Sequence, residues 1–281
     1  MKNKIIHLGL AGLFILAIVS CKKDKTDESK LLENAEAEAT ANAFFDDIYN
    51  EMEETIVTLE NNGYEPQGDK SGLDEGSRLI TVAQGQGTSS YPNFPRLITI
   101  TYTNWTSPSG KIKNGIVYIH ITAPYRVEGN IKTITFENFS IDEHQIEGIK
   151  VIENTGNRSY KITISDGKIT FPDGTFYTRE ANRTRTWVEG FDTPNIILDD
   201  EYEITGTSSG INRKEYSYTH TIATPLRIRI TCPWIVSGTI NLLVDDITAV
   251  LDYGDGECDN KATFIVNDTV YNITLRGHHN Q

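Results

Sequence analysis

The sequence lacks three features that would place it in a familiar class: a membrane-spanning hydrophobic run, an excess of positive charge, and closely spaced cysteines. Its longest apolar stretch, residues 5–19, has about fifteen residues, whereas a spanning helix needs about 20. Lys and Arg number 26 against 39 Asp and Glu. A surface of this sign repels phosphate backbones and anionic lipid, so we expect no nucleic-acid partner and no charge-driven membrane binding.

The apolar stretch instead has the setting of a bacterial lipoprotein signal. Lys2 and Lys4 precede it, and Val19-Ser20 stands directly before Cys21. We therefore expect residues 1–20 to be a removed signal peptide and Cys21 to carry the acyl chains. An ordinary secretory signal, the alternative, usually ends in an A-x-A-like site. Because each buried methylene contributes ~0.8 kcal/mol, several acyl chains on one cysteine hold a protein lastingly on a membrane.

Residues 21–30 are then a flexible tether, since they are polar, charged and without apolar periodicity. The nine residues after the cysteine reach at most ~30 Å. Cys21 is followed by a lysine and not by an aspartate, which resembles the pattern of lipoproteins sent to an outer membrane. The protein would then lie on the periplasmic or the cell-surface face of that membrane. Without residues 1–20 the chain has 24 basic and 39 acidic residues, a net charge of −15.

Cys232 and Cys258 are the cysteines that remain once Cys21 is acylated. In an oxidising compartment we expect them to form a disulfide. Two unpaired buried thiols are the alternative, because cysteine is a common small core residue. Metal binding is less favoured, since neither cysteine has a neighbouring histidine.

Residues 31–62 have the only helical period in the sequence. Its apolar positions recur at spacings of three and four and lie on one face: Phe45, Ile48, Met52, Ile56 and Leu59. Asn61-Asn62-Gly63 is a stop signal, because glycine accepts the left-handed cap geometry. We expect this amphipathic helix to pack on the protein's own sheet, with a partner's groove as the alternative.

Residues 78–276 alternate between apolar and polar positions and are rich in threonine, isoleucine, valine and tyrosine. They predict an all-β domain, mainly an antiparallel meander of ten or more strands, after a polar connection at 64–77. Asp166-Gly167 and Asp173-Gly174 are expected at tight hairpins. Residues 216–222 and 226–232 are expected to be separate strands. A curved half-barrel round the helix, a sandwich and an elongated sheet all fit this pattern.

Candidate catalytic groups are few. Residues 206–210 match the nucleophile motif G-x-S-x-G, but they lie between two strand-like runs, so we expect a hairpin loop rather than a catalytic Ser208. No pair of histidines has metal-binding spacing. Two carboxylates can cleave a glycosidic bond, and Glu180, Glu189 and Asp192 lie near Trp187. An acidic chain contains such groups in any case, so no enzyme is expected.

One acidic turn is a candidate metal site. Asp252, Asp255, Glu257 and Asp259 fall within a stretch kinked by two glycines. Carboxylate oxygens are the hard ligands that Ca²⁺ prefers, although the spacing is not that of an EF-hand loop. A solvent-facing turn pinned by Cys258 is the favoured alternative, and no other cofactor is expected.

Four phrases resemble a group of uncharacterised outer-membrane or surface lipoproteins from Bacteroidota. They are TWVEGFDTP at 186–194, ITGTSSGINR at 204–213, CPWIVSGTI at 232–240 and LDYGDGECDNKAT at 251–263. The resemblance implies lipidation, an all-β domain and the Cys232–Cys258 pair, but no activity or ligand.

The sequence thus predicts a non-catalytic, lipid-anchored structural or interaction module. A carrier of lipid or another hydrophobic ligand is one alternative, with a half-barrel sheet closed by the helix. A carbohydrate-binding or glycan-active protein that uses Trp105, Trp187 or Trp234 is another. A continuous apolar cavity would favour the carrier, and a filled core the scaffold.

Overall fold

The fold is a single antiparallel sheet in which the spatial order of the strands is their order in the chain. In the computed structural model, fourteen strands pair consecutively from β1 to β14. The structure describes residues 48, 51–65, 67–70, 76–87, 90–107, 110–193, 197–232 and 234–274. The predicted all-β class is confirmed. The predicted signal peptide, Cys21, the tether and residues 31–47 lie outside the described residues.

The strands have the following bounds: β1 Gln67–Lys70, β2 Ser77–Gln84, β3 Arg96–Thr106, β4 Ile112–Ile121, β5 Ile131–Ile141, β6 His144–Gly156, β7 Ser159–Thr170, β8 Phe176–Glu189, β9 Glu201–Ile211, β10 Ser217–Arg229, β11 Ile235–Val244, β12 Ile247–Asp255, β13 Lys261–Val266 and β14 Thr269–Thr274. A 3₁₀ turn at Ile197–Asp199 precedes β9. In the described residues β1 pairs only with β2 and β14 only with β13, so the sheet is open and the two-sheet sandwich is not formed.

Side chains alternate between two faces along each strand, as the sequence pattern predicts. The face that carries the buried residues, here called the inner face, includes Ile98, Ile119 and Ile134, each at most 1% exposed. The opposite, outer face carries threonines and charged side chains. Because one face of an antiparallel sheet is solvated, the other must be covered.

A helix packs on the inner face of the sheet and contacts β2–β5. Residues 51–61 are helical, and so is Ile48. Ile48, Met52, Ile56 and Leu59 are between 0% and 3% exposed and share one core with the sheet. The predicted packing on the protein's own sheet is therefore confirmed for the described part of the helix. Fully burying one such side chain stabilises the fold by about 1.5–3 kcal/mol.

The helix ends where the stop signal predicts. The Tyr64 N–H donates to the Leu59 carbonyl at 2.6 Å, and Gly63 has φ +75°. This left-handed residue lets the chain turn back to satisfy the last carbonyls of the helix. Tyr64 then packs edge-on against Phe94 and beneath the Arg96 guanidinium, which lies 3.9 Å from its ring centroid.

Buried ion pairs fix the helix on the sheet. Glu51 accepts from Tyr102 Oη at 2.7 Å, from Arg78 Nη1 at 2.9 Å and from Lys113 Nζ. Glu53 pairs with Lys132. Both lysine side chains are 2% exposed. A buried ammonium is tolerated only when it is paired and hydrogen-bonded, so these contacts fix both the position and the rotation of the helix.

A row of bulges crosses β3–β7. Asn104, Gly115, Asn138, Gly148 and Asp166 all have positive φ, and the strand register shifts beside each of them. A Cβ on Gly115 would lie 2.2 Å from the Asn138 carbonyl oxygen, so only glycine fits there. Bulges bend strands and increase their twist, and this row repeats the bend from strand to strand.

Three local predictions are corrected. The polar connection at 64–77 contains the edge strand β1. Asp166-Gly167 lies in a bulge inside β7 and not at a hairpin, because its partner strands continue past it. The strands predicted at 216–222 and 226–232 are one strand, β10, interrupted by a bulge at residues 223–225.

The predicted disulfide is present. Cys232 and Cys258 are bonded, with their Cα atoms 5.8 Å apart and a sequence separation of 26. The bridge joins the β10–β11 connection to the β12–β13 connection. In the chain-entropy model, a disulfide that closes a loop of this size stabilises a fold by about 3–4 kcal/mol, because it restricts the unfolded chain.

We expect the Glu51–Lys113 contact to be strongly coupled in a double-mutant cycle of urea unfolding. Glu51→Gln leaves the Lys113 ammonium buried without its carboxylate and should cost about 3–5 kcal/mol. Adding Lys113→Met should recover part of that loss. The exposed pair Lys168–Glu147, 3.6 Å apart, is the matched control, and Glu147→Gln should cost less than about 1 kcal/mol. Equal losses at the two sites would contradict this assignment.

Candidate functional site

The outer face has a concavity across β9–β12, here called the outer depression. It has a volume of about 390 Å³ and is open to solvent. Its charged lining consists of Glu201, Glu203, Arg227, Arg229 and Asp255. It is therefore a polar surface site and not an enclosed apolar cavity.

Strand register creates the charge pattern of the outer depression. Glu203 lies directly across from Arg227 and Glu201 across from Arg229, so opposite charges face each other on β9 and β10. Arg227 donates to Glu201 at 2.7 Å and to Glu203 at 2.9 Å, and Arg229 Nε lies 3.2 Å from Glu201. Partial burial by itself would lower the pKa of Arg227. The hydrogen bonds and negative charges of Glu201 and Glu203 outweigh that effect, so the pKa of Arg227 is raised.

Backbone bulges create the hollow itself. Thr224 and Pro225 lie in the β10 bulge, and Gly238 lies beside them in β11 with φ +107°. A Cβ on Gly238 would lie 2.4 Å from the Pro225 carbonyl oxygen. The two backbones thus approach each other with no side chain between them. The site offers paired carboxylates and guanidinium groups for polar contacts, and its carboxylates already serve as partners of arginine.

The G-x-S-x-G segment is not the predicted hairpin loop. Residues 206–210 lie inside β9, and the turn follows at Asn212. Register places Ser208 directly across from His220, and both side chains are buried on the inner face, at 2% and 1% exposed. Ser208 Oγ accepts from Arg183 Nη2 at 3.3 Å. Burial removes the pair from substrate, which agrees with the expectation that Ser208 is not a nucleophile.

The carboxylates near Trp187 do not form one site. Glu180 lies on the outer face and accepts from the Asp166 N–H at 2.7 Å. Glu189 lies 3.9 Å from Arg227, and Asp192 is exposed in the following turn. Trp187 lies on the inner face, where its ring stacks on Tyr202 at 6.2 Å between centroids. The acids and the ring are thus separated by the sheet.

The three tryptophans have different environments. Trp105 is 4% exposed and packs between the helix and the sheet, with the Arg78 guanidinium 5.0 Å from its ring centroid. It has no ring face to offer a sugar. Trp187 and Trp234 are half-buried.

Two of the four candidate calcium ligands are engaged elsewhere. Asp252 accepts from the Gly254 N–H at 2.9 Å, and Asp259 lies 3.0 Å from the Lys261 ammonium. The hydrogen bonds from Lys261 lower the pKa of Asp259. Asp255 and Glu257 are exposed. Within the described residues, no three His, Cys, Asp or Glu side chains are close enough to hold a metal ion.

Sequence reasoning missed the outer depression because its charges come from two different strands. The available signal was a pair of i, i+2 patterns of opposite sign, Glu201-x-Glu203 and Arg227-x-Arg229. Only strand register brings the two patterns together.

Comparison with known proteins gives no match. The chain matches no protein family, no curated protein and no solved structure. No helix in the described ranges is both long and apolar enough to cross a bilayer.

We expect the melting temperature to be the same in millimolar Ca²⁺ and in excess chelator. Asp252 and Asp259 already satisfy their oxygens within the protein, so a cation would have to displace those bonds. Differential scanning calorimetry with Asp252→Asn as the control checks this. A rise of several degrees in Ca²⁺ that Asp252→Asn abolishes would instead establish a calcium site.

Proposed function

We propose that this protein is a lipid-anchored, extracytoplasmic β-scaffold that acts as a structural or interaction module without catalysing a reaction. The basic start, the apolar stretch and the small residues before Cys21 support the anchor. The acyl chains would attach the mature protein to the outer membrane. The acidic body, with its net charge of −15, would remain in the aqueous phase.

The observation that carries the scaffold proposal is the filled inner face. A carrier with a half-barrel sheet needs room for an acyl chain between the sheet and the helix that closes it. Here that region is occupied over β2–β5 by helix side chains that are at most 3% exposed. The ion pairs of Glu51 and Glu53 also hold the helix down.

The outer face is the surface on which we place partner contacts. The outer depression presents carboxylates and guanidinium groups that are already ordered by their mutual bonds. Ordered charged groups lose little side-chain freedom on binding, so they favour specific polar recognition. This surface fits a protein partner that offers both donors and acceptors.

We expect Cys21→Ala to abolish incorporation of an alkyne-tagged fatty acid, because Cys21 is the residue predicted to carry the acyl chains. Ser20→Ala, which keeps a small residue before the cysteine, is the control and should leave incorporation unchanged. Undiminished incorporation in the Cys21→Ala protein would contradict the anchor.

We expect organic extracts of the soluble chain, starting at residue 22, to contain acyl lipid at far below one molecule per protein. Mass spectrometry of the extract checks this, with the same chain carrying Met52→Ala as the comparison. Removal of the Met52 side chain opens space between helix and sheet, so it shows whether the assay detects lipid when room exists. Stoichiometric lipid in the unaltered chain would favour the carrier.

A further inference from the structure

The outer depression contains two charged groups that its internal ion pairs leave largely unused. Arg227 is fully engaged, because it donates to the carboxylates of Glu201 and Glu203. Arg229 and Asp255 line the same depression but do not have such a set of partners. They are therefore the charged groups that a ligand would meet.

The guanidinium of Arg229 is only partly engaged. Its Nε lies 3.2 Å from a Glu201 oxygen, but the two groups are not aligned for a hydrogen bond. Within the described part of the chain, its two terminal nitrogens have no hydrogen-bond or ion-pair partner. One of them, Nη2, lies beside Gly256, where a Cβ would come within 3.7 Å of it. The side chain is 38% exposed, so a fork of N–H donors is available to a carboxylate.

Asp255 supplies the opposite charge. It is exposed at the end of β12 and lies across from Ser237 in β11. Ser237 in turn lies across from Arg227 in β10, so the three residues form one row across the sheet. No described residue forms a hydrogen bond or an ion pair with the Asp255 carboxylate, and Asp255 and Arg229 do not pair with each other. An unused carboxylate and an unused guanidinium end thus line one open hollow.

The backbone around these two groups is fixed on both sides of the hollow. The Cys232 N–H donates to the Arg229 carbonyl at 3.0 Å, and the Gly256 N–H donates to the Val236 carbonyl at 2.9 Å. The disulfide between Cys232 and Cys258 joins the two connections covalently. A site that is ordered before binding loses little freedom when a ligand arrives.

The charges around the hollow restrict what can bind there. A simple anion would approach a chain with a net charge of −15, which repels it. A simple cation would find Glu201 and Glu203 already paired with arginine. A ligand that carries both charges and no net charge has neither difficulty.

We propose that the protein partner inserts one short zwitterionic segment into the outer depression, with a carboxylate on Arg229 and a cationic group on Asp255. The interaction deepens the proposed function, and it rests on the placement of partner contacts at this face. Two charged contacts made by one segment also select against partners that carry a single charge, because the second group is then left without its counter-charge.

Titration with ω-amino acids tests this assignment, because each probe carries one carboxylate and one ammonium at a known separation. The probes are glycine, 4-aminobutanoate and 6-aminohexanoate, and butanoate and butylammonium are the singly charged controls. Amide NMR of the isotope-labelled mature chain follows the signals of Ser237 and Gly256. We expect at least one ω-amino acid to bind in the millimolar range, roughly tenfold or more tighter than both singly charged controls.

Charge variants give the second arm. Arg229→Gln and Asp255→Asn should each reduce the affinity of the best probe to that of a singly charged compound. Lys168→Gln with Glu147→Gln removes an exposed pair on β6 and β7 and should leave the affinity unchanged. Amide signals of the other strands show whether each variant is folded.

Three outcomes would overturn the proposal. The first is the absence of any shift with every probe in the unaltered chain. The second is binding that Arg229→Gln abolishes and Asp255→Asn leaves unchanged, because the site would then take a simple anion. The third is micromolar binding of glycine, because a small molecule would then be the occupant. Fatty-acid incorporation and lipid extraction test the anchor and the filled inner face separately, so a negative titration removes this proposal alone.

Discussion

The contact of Glu51 with Lys113, Tyr102 and Arg78 is the interaction on which the rest of the structure depends. It joins one helix residue to β2, β3 and β4 at once, and the Lys113 side chain in it is almost fully buried. Apolar packing alone would let a helix slide or rotate on a sheet, because the hydrophobic effect has no direction. A carboxylate with three donors has one satisfactory position. The pair of Glu53 with Lys132 repeats this arrangement on β5.

The outer face follows a different rule, because its charges pair with one another across neighbouring strands in contact with solvent. Such pairs contribute little to stability, about 0–1 kcal/mol each. Their effect is to keep arginine and glutamate side chains ordered around a hollow formed by adjoining bulges. The two faces of the sheet thus differ: the inner face packs the core and the helix, and the outer face holds ordered polar groups in contact with solvent.

Much of the fold could be predicted from the sequence, since alternation, branched residues and the helical stripe are local signals. The disulfide also followed from counting cysteines. The bulges could not be predicted, because Asp166-Gly167 has the same local signature in a bulge as in a hairpin and only the partner strands decide. The Asp142-Glu143 and Asn157-Arg158 hairpins, with positive φ at all four residues, carry no glycine and so give a weak signal. The outer depression needs register, which is a long-range property.

The sequential order of the strands has a consequence for how the chain assembles as it is made. Every strand pairs with the one before it, so β2–β14 can add to the sheet as each one emerges, with short loops to close. The helix has the opposite timing: it precedes every strand in the chain, but its binding surface exists only after β5 is complete. During that interval its apolar stripe has no partner, while its glutamates keep it hydrated and repel other copies. The acids that later neutralise the buried lysines therefore also act as the helix's own protection against premature association.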